Sequence, residues 1–241
     1  MPNQFFQFKQ FTIYQDQCAM KVCTDSCLFG AWVADYLEKE KNDQQHILDI
    51  GTGTGLLALM LAQKTTADID AVEIEQDAGL QARNNFAASP WSSRLQVYNT
   101  PIQLFKTTNP NSYDFIICNP PFFENNLKTD NTLKNLALHS EALTLSELIL
   151  QIQFHLNPNG QFAILLPFDR SNYFIAEALK LGFHIRVTIN VKHTPNHPFF
   201  RSMMLFGNNS TSTITKELII KENNEYTTDF SRLLTDYYLP F

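Results

Sequence analysis

The 241 residues predict an α/β fold, a doubly wound and mostly parallel sheet with helices on both faces. Three observations predict it. From residue 46 onward short apolar runs alternate with helical patterns. A run at 47–50 leads into a glycine-rich turn, and another at 115–118 stops abruptly in Asn119-Pro120-Pro121-Phe122.

The elements follow in order. Residues 5–22 alternate apolar and polar (Phe6, Phe8, Phe11, Ile13), which suggests a strand or hairpin. Thr24 reads as an N-cap with Asp25 in the first turn of a helix over 25–41. A polar stretch, 40–46, links into the alternating unit. Strands are expected at 47–50, 69–74, 95–98, 115–118, 162–166 and 184–191, with helices at 56–63, 76–88, 145–156 and 171–181. Asn157-Pro158-Asn159-Gly160 reads as a turn between helix and strand. Strands at 201–206 and 214–221 end the sheet or sit beside it, and 230–238 suggests a short helix. The organisation is a single domain over 1–241, with a core at 46–208, an N-terminal extension (1–45) and a C-terminal addition (209–241) packed on it.

Composition narrows the function classes. No apolar run reaches the ~18–20 residues that cross a bilayer, and the start lacks a basic region followed by an apolar stretch. Cys18, Cys23, Cys27 and Cys118 are too few for a disulfide scaffold, and their spacing is a poor zinc pattern, so no metal is expected. Reduced thiols point to the cytoplasm. A net charge of −6 argues mildly against nucleic acid. The stretch 170–201 softens this, with five basic residues and three His against one acid, Glu177.

Three groups of residues carry chemistry. Asp49 precedes Gly51-Thr52-Gly53-Thr54-Gly55, where glycines allow a ligand close to the backbone at the carboxyl end of a strand. The dinucleotide fingerprint needs glycine at Leu56, and a Walker A ending is absent. Asp49 would repel a pyrophosphate but suits the cationic amino-acid end of S-adenosylmethionine. Glu73, ~20 residues on at the next strand's end, can accept both hydroxyls of a ribose. Finally, the Asn119 amide and the Pro120 carbonyl can hold the two N–H groups of a planar amine while Phe122 stacks on it. A methyl acceptor held this way needs no protein nucleophile or metal, only positioning.

With these motifs in place, the chain resembles the S-adenosylmethionine-dependent amino-methyltransferases, whose (Asp/Asn)-Pro-Pro-(aromatic) motif matches Asn119–Phe122. Further segments are similar to one branch, the bacterial tRNA1(Val) adenine-37 N6-methyltransferases: Phe8-Lys9-Gln10-Phe11-Thr12, Met20-Lys21-Val22-Cys23-Thr24-Asp25, Phe123, His139-Ser140-Glu141, and Tyr226-Thr227 with Tyr237-Tyr238-Leu239. The resemblance implies a Rossmann-like, seven-stranded sheet closed by an antiparallel strand. It also implies methylation of an adenine amino group beside the anticodon of tRNA. Cofactor contacts would fall to Asp49, Gly51, Gly53, Gly55, Glu73, Thr24 and Asn99. Two departures stand out: Cys23 replaces an expected glycine, and Tyr98-Asn99-Thr100-Pro101 carries no acid for the cofactor's adenine, leaving Asn99 or backbone.

Substrate contacts are assigned to Phe122, Phe123, His139, Lys192 and Arg201. Phe199-Phe200-Arg201 could stack and pair with RNA or simply begin a core strand. His193 and His197 lack further partners at metal-ligand spacing. A monomer acting on a tRNA anticodon loop, away from membranes, is the expectation. The rivals are guanine N2 in ribosomal RNA, glutamine N5 in a protein, a nicotinamide-dependent oxidoreductase and a non-catalytic RNA chaperone.

Overall fold

A computed structural model describes residues 3–18, 20–40, 46–105, 112–120, 143–210 and 212–239. Its elements, in chain order, are strands β1 (Phe5–Gln7) and β2 (Thr12–Tyr14), helix α1 (Thr24–Glu40), β3 (His46–Ile50), α2 (Leu56–Lys64), β4 (Asp68–Glu73), α3 (Gln76–Ala87), β5 (Leu95–Asn99) and β6 (Tyr113–Cys118). Then come α4 (Leu145–His155), β7 (Leu156–Pro167), α5 (Ser171–Lys180), β8 (His184–Lys192), β9 (Phe199–Gly207), β10 (Ile214–Ile219), β11 (Lys221–Glu222), β12 (Glu225–Tyr226) and α6 (Thr228–Leu234).

The central sheet has the order β10-β8-β9-β7-β6-β3-β4-β5. Strand β9 runs antiparallel to both its neighbours, and the remaining pairings are parallel. Among the described residues the sheet thus has eight strands rather than the expected seven, because β10 pairs in parallel with β8 and extends the edge. Strands such as β6 are buried along nearly their whole length because helices cover both faces. One face packs under α1, α2 and α6 around Leu28, Leu59, Phe115 and Phe230. The other lies under α4 and α5, where Phe162 stacks on Phe206 at 4.7 Å and meets Phe174 and Phe183 edge-on. Such ring pairs add ~0.5–1.5 kcal/mol each beyond the area they bury.

Two boundaries differ from the sequence reading. The Asn157–Gly160 turn does not separate helix from strand. It forms a bulge inside β7, where the register against β6 jumps from Leu156 to Gln161. Asn159 N–H donates to its own neighbour's Asn157 Oδ1 (3.0 Å), closing a side-chain turn within the strand. The first helix begins at Thr24, so Cys23 is the flanking residue, its carbonyl accepting from Cys27 N–H at 3.1 Å.

The terminal segments meet on one side. Phe8 bridges Tyr238, and Lys9 N–H donates to Tyr237 O (2.8 Å). Buried Asn85 on α3 ties the β1–β2 hairpin to the glycine turn, donating to Tyr14 O (2.9 Å) and Thr54 O (2.8 Å) and accepting from Tyr14 N–H (3.0 Å).

Candidate active site at the carboxyl edge of the sheet

Strands β3 and β6 are adjacent, with Ile50 opposite Cys118. The glycine turn and Asn119 therefore leave the sheet side by side. Chain order reverses at this pair, with β4 and β5 on one side and β7 beyond β6 on the other. A doubly wound sheet opens its ligand crevice at such a reversal, outside the carboxyl ends.

Asp49, one residue before the end of β3, has no solvent exposure. Its Oδ2 accepts from the Thr52 hydroxyl at 2.6 Å, while Oδ1 has no hydrogen-bond partner among the described residues. Burial pushes its carboxyl up to about 7, partly offset by the Thr52 hydroxyl. In the turn, Gly51 (φ +73°) and Gly53 (φ +55°) have left-handed backbones, and a Cβ at either would meet nothing within 4 Å. That open space is what a ligand needs. Gly55 differs, because a Cβ there would lie 2.5 Å from the Phe86 ring. Close packing of the turn against α3 therefore requires glycine at this position.

Glu73, at the end of β4, folds its carboxylate onto the turn. Its Oε2 accepts from Gly53 N–H (2.8 Å) and its Oε1 from Glu75 N–H (2.9 Å). Each carboxylate oxygen keeps a further lone pair, so a diol could still be accepted. Asn99, opposite Glu73 on β5, donates from Nδ2 to Glu73 O at 2.9 Å and braces the two strand ends.

Asn119 follows β6. Its Nδ2 donates to Ser26 Oγ at 2.9 Å, and its Oδ1 is buried with no partner among the described residues. A buried amide oxygen left unpaired costs ~1–3 kcal/mol, which an arriving N–H donor would recover. Ser26, 7% exposed in the first turn of α1, also meets Cys23 Sγ at 3.0 Å. The sequence reading stopped at Thr24-Asp25 and missed Ser26, the next residue. Only its position in that segment could have signalled it, since the bond joins residues 93 apart.

The same helix start anchors Arg201. Asp25 Oδ2 accepts from Arg201 Nε at 2.7 Å, and Asp25 Oδ1 accepts from Ser26 N–H at 3.1 Å. Thr24 is exposed and lies in a cleft wall together with Asp25 and Arg201. Lys192 sits over the Phe199 ring at 4.3 Å and pairs with Glu217 at 3.1 Å. Thus Asp49, the glycines, Glu73, Asn99 and Asn119 share one edge, while Thr24 and Arg201 gather next to it. Pro120 is buried. Phe122, Phe123 and His139 lie outside the described residues. Among the described residues no group of three or more His, Cys, Asp or Glu could hold a metal, and no helix is long and apolar enough to cross a membrane.

Comparison with known proteins agrees with this geometry. The family model "Methyltransferase small domain" matches residues 31–167. The solved structures that share the fold include a predicted O-methyltransferase from Agrobacterium tumefaciens (TM-score 0.65, 18% identity, 88% of this chain and 96% of that one). Another is the magnesium protoporphyrin IX methyltransferase from Synechocystis with bound SAM (TM-score 0.55, 14% identity, 77% and 80%). Among sequence relatives, the tRNA1(Val) (adenine(37)-N6)-methyltransferase of Cytophaga hutchinsonii is 44% identical, covering 99% of each chain. Those of Parabacteroides distasonis (38%, 99% of each) and Trichodesmium erythraeum (39%, 100% of each) carry the same name. Likeness at this level over the whole length places the chain in the tRNA1(Val) (adenine(37)-N6)-methyltransferase family.

Proposed function

We infer that the protein is a tRNA-processing enzyme that transfers the methyl group of S-adenosylmethionine to the N6 amino group of adenine 37 in tRNA1(Val). One observation carries the reading. Asn119, beside an open glycine turn at the sheet's reversal point, presents an amide oxygen without a partner among the described residues while its nitrogen is fixed by Ser26. A planar NH2 group supplies the missing donor. The names of the relatives favour adenine over guanine N2 or glutamine N5.

The residues present fit the cofactor. Gly51 and Gly53 leave room at the backbone, Glu73 can accept a ribose diol, and the orphan Oδ1 of Asp49 suits a cationic ammonium. When bound, S-adenosylmethionine supplies an already activated sulfonium methyl, so no protein nucleophile is required. Asn119 Oδ1 and the Pro120 carbonyl would each accept one N–H of the adenine amine. Those two bonds draw the nitrogen lone pair out of conjugation and aim it along the line of attack. An amide oxygen is too weak a base to keep the displaced proton, which passes to water. Phe122 would stack on the base, worth ~1–3 kcal/mol. An adenine inside a loop stack must be splayed out to reach this turn. Phe123, His139, Lys192 and Arg201 are assigned to the RNA side and Thr24 and Asn99 to the rim of the cofactor side. We place this activity in a single domain, in a cytoplasmic monomer.

Incubation with methyl-labelled S-adenosylmethionine and tRNA from a strain lacking the modification, followed by nucleoside mass spectrometry, tests the reading. N6-methyladenosine in tRNA1(Val) is the expected product. Label in guanosine, in protein glutamine or nowhere would overturn it.

A further inference from the structure

The carboxyl edge opens into a cleft of about 530 Å³, between the start of α1, the facing ends of β8 and β9, and the β11–β12 hairpin. Its wall includes Asp25, the residue before the Ser26 that holds Asn119. Three cations sit over aromatic rings along this edge: Lys192 over Phe199 at 4.3 Å, Arg201 over Phe200 at 5.5 Å and Lys221 over Tyr226 at 4.6 Å. Lys192 is paired with Glu217 and Arg201 with Asp25. Lys221, in the cleft wall, has no carboxylate partner among the described residues. The His193 ring is exposed and lies flat on Phe200, with centroids 4.0 Å and planes 9° apart. The cleft thus offers a ready-made platform of stacked rings and one cation awaiting an anion.

We propose that this cleft seats the nucleotide adjacent to the methylated adenine, its base on the His193 face of the His193–Phe200 stack and its phosphate on Lys221. The proposal rests on the reading of a tRNA substrate given above. Its physical warrant is that an unpaired nucleotide is a flat π-face joined to a phosphate, and the wall supplies the complement of both. Single-stranded nucleic acid is commonly bound by such alternation of rings and cations. A base held at Asn119 also forces its chain neighbour to lie within one backbone repeat, and the cleft begins within one residue of Asn119's partner. This arrangement makes the cleft a second grip on the loop, one that sets which base can reach the amide.

Binding of an anticodon stem–loop RNA, followed by fluorescence anisotropy across a salt series, tests this, with cofactor affinity measured alongside. Lys221→Ala should weaken RNA binding about tenfold and lower the magnitude of the salt slope by about 1. Lys221→Arg should keep both. His193→Ala should weaken binding about tenfold with the salt slope unchanged. Cofactor affinity should stay constant in all three, which separates a lost contact from a lost fold. If the wild-type enzyme methylates tRNA while Lys221→Ala and His193→Ala bind RNA as it does, the cleft proposal is overturned alone. A wild-type protein that neither binds nor methylates tRNA overturns the substrate reading and this proposal with it.

Discussion

On the proposed mechanism Asn119 acts through its orientation, since an amide is neither acid nor nucleophile at neutral pH. Ser26 sets that orientation by taking the Nδ2 hydrogen, which leaves Oδ1 for the substrate. Ser26→Ala should therefore lower kcat about tenfold without changing cofactor affinity, and should have no further effect in an Asn119→Ala background. Additive losses in that double-mutant cycle would remove the positioning role. Asp49 brings pH into the site. Burial raises its carboxyl to about 7, against an ordinary value of 3.8. A raised value means that this group's contribution to stability is full below about pH 4 and is lost as pH rises to about 7. The cofactor-free protein should melt at lower temperature across that window, whereas Asp49→Asn should not show the decline. A cationic ligand favours the ionised form, so cofactor affinity should weaken as pH falls below about 7 in the wild type only. Titration calorimetry with proton release measured in two buffers would reveal the coupling, and its absence would reassign Asp49 to structure. Much of this site was legible because Asp49, Glu73 and Asn119 each end an apolar run. Ser26 was not, because its partner lies on a different element and carries no local pattern.

At the scale of elements, the glycine turn divides into two functions. Gly51 and Gly53 face open space, but Gly55 is pressed against Phe86 on α3. Gly55→Ala should cost ~2–4 kcal/mol from left-handed backbone strain plus the ring clash. Gly53→Ala should cost only ~1 kcal/mol, from backbone strain alone. Denaturant unfolding of the pair would check the contrast, and equal losses would contradict it. Helix α4 was readable to its first residue because Thr144 and Glu147 form a reciprocal cap. The bulge in β7 was not readable, since Asn-Pro-Asn-Gly is also a sound turn and only pairing with β6 keeps the strand going through it. The eighth strand is expected at 214–221, but its place in the sheet was left open for a related reason. The run at 214–219 is evident, yet its parallel pairing with β8 depends on a contact distant in sequence.

At the scale of the molecule, the two terminal segments clamp onto each other, and the C-terminal helix α6 packs against α1, which carries Ser26 and Asp25. Phe8 is 1% exposed, stacks on Phe11 at 4.5 Å and touches Tyr238 at 5.9 Å, while the Tyr237 hydroxyl donates to Met60 O on α2 at 3.0 Å. Phe8→Ala should cost ~3–5 kcal/mol of stability, read from chemical denaturation, and a loss below ~1 kcal/mol would show the clamp to be incidental. The protein as a whole is acidic, with a net charge of −6, so on the proposed function RNA affinity would draw on local cations such as those of the carboxyl edge. Such a face is invisible in total composition and only hinted at by the basic stretch 170–201. The most direct test of the account is the single-turnover rate of methyl transfer to unmodified tRNA1(Val), compared between wild type and Asn119→Ala. We expect N6-methyladenosine at position 37 in the wild type and a rate at least ~10²-fold lower in the variant, with cofactor affinity unchanged. A variant that methylates at the wild-type rate, or a wild type that leaves adenine 37 bare, would contradict it.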